Sequence, residues 1–83
     1  MKQENQMAII RGPVLGVDDR DQVTLRFTTY TSEHSAAYQR LSLVDAGELI
    51  GAYGVQDVHL LDGKPIRVRL DGTLLRVVGP CLL

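Results

Sequence analysis

The stretch Lys64-Pro65-Ile66-Arg67-Val68-Arg69-Leu70-Asp71-Gly72-Thr73-Leu74-Leu75-Arg76-Val77-Val78 decides how this chain is read. Two apolar runs flank Asp71-Gly72, a pair suited to a two-residue hairpin loop because a type I′ turn needs positive φ at both central positions. The register this implies sets Leu70 opposite Thr73, Val68 opposite Leu75 and Ile66 opposite Val77, on one apolar face directed inward. The other face sets Arg69 opposite Leu74 and Arg67 opposite Arg76. Like charges directly opposite one another destabilise a sheet, by an amount on the order of 0.2–1 kcal/mol. Arg67, Arg69 and Arg76 therefore call for a neighbouring carboxylate, full solvation, or an anionic ligand or partner.

Upstream, Gln22–Thr31 alternates cleanly: Val23, Leu25, Phe27 and Thr29 share one face, and Thr24, Arg26, Thr28 and Tyr30 share the other. Asp18-Asp19-Arg20-Asp21 reads as the turn before it, and Met7–Val17 as a strand bent at Gly12-Pro13, since proline cannot donate to a ladder. Residues 1–6 are polar and read as a disordered end, leaving 7–83 as a single domain. Residues 35–41 fit either a third strand or a short helix, the strand being the favoured reading.

Ser42, with Asp45 three residues on, resembles a capping box. Leu43, Ala46, Leu49, Ile50 and Tyr53 then recur at helical spacing, and Gly54 stands where a left-handed C-terminal cap belongs. Gly47 and Gly51 are costly inside a helix, roughly 0.8–1 kcal/mol each against alanine. Their spacing suggests close approach to the domain's own sheet or a dimer seam, to which the apolar Leu82 and Leu83 would add. Asp57 caps a tight turn that ends at Asp62-Gly63, with His59 expected to lie over the core. The predicted class is α+β: a small antiparallel sheet or partly open barrel of two β-hairpins and one α-helix, in an OB-like order.

Eighty-three residues with 45% hydrophobic and 23% charged content make one globular domain. Aromatic residues are confined to Phe27, Tyr30, Tyr38 and Tyr53, so the core must be aliphatic. The formal charge of −1 exerts no global pull on nucleic acid, but charge is segregated: Lys64, Arg67, Arg69 and Arg76 stand against Asp71 alone, and three aspartates crowd the first turn. One cysteine, Cys81, excludes an internal disulfide framework, and with no apolar leader or spanning segment the expected location is cytoplasmic.

Catalytic patterns are missing. His34 and His59 are separated by the helix, no zinc-ligand spacing occurs, the glycines fit no phosphate loop, and the aspartates do not follow a calcium loop. The chain is read as no enzyme, with no cofactor and no metal. The leading expectation is a protein-interaction module whose partner-binding residues are Arg67, Arg69, Arg76, Arg26 and Tyr30, because Arg and Tyr are favoured interface anchors. The alternatives are an OB-like single-stranded nucleic-acid binder, with Tyr38 adding a stacking surface, and a self-associating structural component.

The segment Gly54-Val55-Gln56-Asp57-Val58, Leu61-Asp62-Gly63-Lys64-Pro65-Ile66-Arg67-Val68 and Leu75-Arg76-Val77-Val78-Gly79-Pro80 resembles the ending of small accessory proteins of phages and mobile elements. These close with a helix, a Gly-Val step, a Leu-x-Gly-Lys-Pro turn and a last hairpin. The resemblance covers the last third of the chain and implies a protein that binds and inhibits a host or defence factor, in the manner of anti-CRISPR inhibitors, within the host cytoplasm. It transfers no catalytic residue.

Overall fold

The computed structural model describes residues 5–32, 35–71 and 74–81. Five strands, β1 (Asn5–Val17), β2 (Val23–Ser32), β3 (Ser35–Ser42), β4 (Pro65–Asp71) and β5 (Leu74–Pro80), form one antiparallel sheet in the order β3-β2-β1-β4-β5. The helix α1 (Leu43–Tyr53) and a 3-10 turn (Val58–Leu61) join β3 to β4. The fold is the expected small α+β domain, its sheet curled into a half-barrel with an OB-like strand order, open between β3 and β5. β1 starts at Asn5, two residues before the expected boundary, because Asn5 and Gln6 pair with Arg69 and Val68.

β1 bends so that its first half can pair with β4 and its second half with β2. Gly12 adopts φ +63°, and the β1–β2 register shifts between Arg11 and Val14. A left-handed backbone at this point is cheap only for glycine. The Asp62 carboxylate fastens the bulge by accepting the Gly12 N–H at 3.0 Å and approaching Arg11 Nη1 at 3.5 Å. Beside it, Gly63 N–H donates to the Ile10 carbonyl at 2.7 Å.

The core lies inside the curl: Ala8, Ile10, Leu25, Phe27, Leu61, Ile66 and Val68 from the sheet and 3-10 turn, closed below by Ala46 and Leu49 of α1. Burying a side chain the size of Ile10 or Phe27 stabilises by about 1.5–3 kcal/mol. α1 begins as its sequence indicates, with Ser42 Oγ accepting from Asp45 N–H at 3.2 Å, and ends at Gly54 in the left-handed region at φ +67°. Leu43, however, is 57% exposed and lies outside the core. The open side is clasped by a side chain. Gln39 Nε2 donates across it to the Leu75 carbonyl at 2.8 Å and to Thr29 Oγ1 at 3.3 Å.

Three expectations need correction. Asp71 pairs with Leu74, so the last hairpin turns one residue later than expected. Arg69 consequently faces Arg76, Arg67 faces Gly79, and the extra residue Val78 is taken up in a bulge. Inward and outward faces are nevertheless preserved, because moving the turn by one residue changes each strand's partners and not its parity. Gly47 and Gly51 do not serve close packing on the sheet, since both are exposed and a Cβ at either would meet nothing within 4 Å. His59 does not cover the core; its side chain is 78% exposed, near Asp57. Leu82, Leu83, Gly72, Thr73, Glu33 and His34 fall outside the described residues.

Gly47→Ala and Gly51→Ala should each stabilise the protein by about 0.8–1 kcal/mol in urea unfolding, because both positions are helical, exposed and unobstructed. Destabilisation, or a change in oligomeric state, would mean that the helix face is occupied. Gln39→Ala should cost about 1–3 kcal/mol by leaving the Leu75 carbonyl without its donor. A loss well under that range would show that the seam does not depend on this clasp.

Candidate functional site

Directly paired residues of an antiparallel ladder share a face, and the registers therefore define the outer surface of the half-barrel row by row. Arg26 faces Arg40 on β3 and Val14 on β1; Thr28 faces Tyr38 and Arg11; Tyr30 faces Ala36 and Ile9. Beyond the β1 bend, Met7 faces Arg67 and Asn5 faces Arg69, whose other neighbour is Arg76. Every arginine of the chain except Arg20 thus lies on this one surface, together with Tyr30 and Tyr38. The sequence-derived residues Arg67, Arg69, Arg76, Arg26 and Tyr30 are brought onto a common face, and Arg11, Arg40 and Tyr38 join them.

The face has two parts. On β4 and β5 the charges are largely occupied within the domain. Arg76 Nε lies 2.9 Å from Asp71 Oδ2, and Arg67 Nε donates to the Pro80 carbonyl at 3.2 Å. On β1, β2 and β3, Arg26 and Arg40 face each other with no carboxylate within ion-pair distance among the described residues. Tyr30 and Tyr38 are 45% and 66% exposed, which leaves ring surface open beside them. They are diagonal neighbours across the β2–β3 ladder, a separation of roughly 7–8 Å. A shallow depression of about 500 Å³ is lined by Ile9, Arg11 and Tyr30, so that an aliphatic, a cationic and an aromatic side chain meet there.

Arg26 is held close to the sheet. Its Nη2 lies where Gly16 leaves room, only 2.9 Å from the position a Cβ would take, and its Nε is shielded from solvent with no hydrogen-bond partner among the described residues. At the end of the same rows, the β1–β2 turn is organised by Asp18. Its Oδ1 accepts the N–H groups of Arg20 and Gln22, both at 2.9 Å. The bond from Gln22 first, then that from Arg20 and the nearby Arg40 and Arg20 cations, hold its carboxyl below the ordinary value of 3.8. The Tyr53 hydroxyl donates to the Pro65 carbonyl and accepts from Cys81 N–H, and burial pushes its pKa up.

Among the described residues no cluster of His, Cys, Asp or Glu is suited to hold a metal ion, and no helix is long and apolar enough to cross a membrane. No protein-family model, curated protein or solved structure matches the chain.

Gly16→Ala should leave the unfolding free energy within about 1 kcal/mol of wild type, because the atom it crowds is the mobile end of a side chain. The Arg26 guanidinium should be displaced, which its Nε–H resonance reports; an unmoved resonance would contradict the seating of Arg26 over Gly16. The Asp18 carboxyl should titrate below 3.8 by NMR. Because its folded pKa is depressed, its contribution to stability is present above the unfolded value and is lost as pH falls through the folded one.

Proposed function

We propose that the outer face of β1, β2 and β3 binds single-stranded nucleic acid. The observation that carries this reading is the convergence of Arg11, Arg26, Arg40, Tyr30 and Tyr38 on one exposed sheet surface. Sequence-tolerant strand binding needs cations that follow a backbone and aromatic faces on which bases stack. Both are supplied here in adjacent rows, on the strand pair that OB-like barrels use for oligonucleotides. The guanidinium pair Arg26–Arg40 is an unfavourable neighbour pair in the isolated domain, and a phosphate between the two would relieve the repulsion. This reading displaces protein recognition from first place because Arg40 and Arg11 enlarge the basic surface beside Tyr30 and Tyr38 beyond the residues expected to form it.

Protein recognition, including inhibition of a host or defence factor, is the second reading, favoured by a different observation. Leu15, Val17 and Val44 are 47%, 59% and 72% exposed, apolar surface that a nucleic acid would not need.

The test is fluorescence anisotropy of a labelled single-stranded oligonucleotide of mixed sequence. Engagement of Arg26 and Arg40 by phosphates, with Arg11 held by Asp62, should give a slope of log K against log[salt] of about −1.4, and Arg40→Ala should reduce it by about 0.7. Tyr38→Ala should weaken binding by about 1–3 kcal/mol if a base stacks on the ring. Absence of binding at low salt with an intact fold would overturn the proposal and leave protein recognition as the reading to pursue.

A further inference from the structure

At the β1–β2 end of the basic face, the next row outward from Arg26–Arg40 is Thr24, paired with Ser42 on one side and Gly16 on the other. Here the β1–β2 turn rises beside the sheet and leaves a hollow of about 600 Å³. That volume is within the range of small-ligand sites, about 300–1,000 Å³. Its lining has three chemistries. Val23 and Leu43, 37% and 57% exposed, offer apolar surface. Arg20, Arg40 and Gln22 bring donors, and Asp18 and Asp19 bring acceptors. Thr24 also lines it; this side chain is only 6% exposed, and its Oγ1 has no hydrogen-bond partner among the described residues. An unsatisfied buried hydroxyl is a stability cost that natural structures rarely carry without reason.

The mixed lining argues against a site for phosphate alone, since an anion would meet carboxylates as well as guanidiniums. It suits a flat group with an apolar face and an edge of donors and acceptors, flanked by a negative charge. A nucleotide unit has that form, with its phosphate towards Arg40. We infer that this hollow receives one base of the bound strand, and that it favours bases bearing an exocyclic amino group over thymine or uracil. The inference rests on the strand-binding reading of the neighbouring face. The preference follows from the acceptors. Ionised carboxylates accept hydrogen bonds and cannot donate them. Asp18 is already committed through Oδ1 to two backbone N–H groups, whereas Asp19 is exposed at the rim. The amino groups of cytosine, adenine and guanine can donate to such an oxygen, while thymine and uracil offer only the ring N3–H, set between two carbonyl oxygens that the carboxylate repels.

Anisotropy titrations with labelled oligodeoxycytidylate and oligothymidylate of about ten nucleotides, at one salt concentration, separate the possibilities. Wild type should bind the cytidylate at least about fivefold more tightly, the effect of one added hydrogen bond. Asp19→Asn should narrow that ratio. Thr24→Val should cost about fivefold on both strands, since a hydroxyl can donate as well as accept, while the melting temperature holds or rises because an unpartnered hydroxyl has been removed. Equal affinity for the two strands, or cytidylate binding untouched by Thr24→Val, would overturn the base site and leave the basic face standing. Failure of either strand to bind at low salt would overturn both.

Discussion

The bend in β1 is the constraint on which the other elements depend. A single strand has to pair with β4 along Asn5–Ile9 and with β2 from Ile9 onwards, and no uniform strand of this length could serve both neighbours in so tight a curl. Gly12 supplies the positive φ, Pro13 follows it, and Asp62 ties the kinked backbone to the turn that launches β4. The bend therefore joins the two hairpins into one sheet and gives that sheet an inside. With an inside, Ile10, Phe27, Leu61 and Ile66 can all be fully buried in a chain of 83 residues, near the lower limit for a self-sufficient core.

The curl leaves one defect, the gap between β3 and β5, and an amide side chain bridges it. Gln39 lies on the inward face opposite Phe27, where a purely apolar residue would have left the Leu75 carbonyl without this donor. Its amide donates to that carbonyl and to Thr29, and Thr29 in turn donates to Ala37 at 3.2 Å. A chain of three polar groups thus replaces part of a missing ladder. Buried polar groups are tolerable when each finds a partner, and these do. Thr24 Oγ1 and Arg26 Nε find none among the described residues, and they lie side by side on the opposite surface, where the domain has a face to offer and no seam to close.

Much of this could be read from the chain because it is local. The strand alternation of β2, the Ser42 and Gly54 caps and the Gly12-Pro13 interruption each depend on a few neighbouring residues. The glycines of α1 were legible too, but close packing on the sheet is not their role: Gly47 and Gly51 lie about 100° and 140° around the helix from Ala46, away from the stripe formed by Ala46, Leu49, Ile50 and Tyr53. Hairpin register was less accessible, because Asp71-Gly72 is a good turn pair and nothing local announces either the later turn or the bulge at Val78. Arg40 and Arg11 were not identified as site residues for a different reason. Each reaches Arg26 or Thr28 only through pairing between strands, and alternation within one strand carries no information about which residues of another strand will stand beside it.

Net charge conceals the same partition. A formal charge of −1 describes a chain with no pull on a polyanion, yet the charges occupy different sides of the fold. Asp45 and Glu48 belong to the helix beneath the barrel, and Asp57 caps the 3-10 turn. Asp62 and Asp71 do reach the basic surface, and each is taken up by an arginine there, Arg11 at 3.5 Å and Arg76 at 2.9 Å, while Asp18 and Asp19 stand beside Arg40 at its β1–β2 end. Such exposed pairs add little stability, but they hold two long side chains in place and lower the repulsion among neighbours. The field over β2 and β3 is then set by Arg26 and Arg40, at the place where Tyr30 and Tyr38 leave aromatic surface uncovered. A polyanion approaching from the helix side meets carboxylates; one approaching the middle of the sheet meets guanidiniums, with the Asp18 and Asp19 carboxylates confined to its β1–β2 end. An anionic strand bound as proposed would therefore lie over β2 and β3, even though the total charge is close to zero.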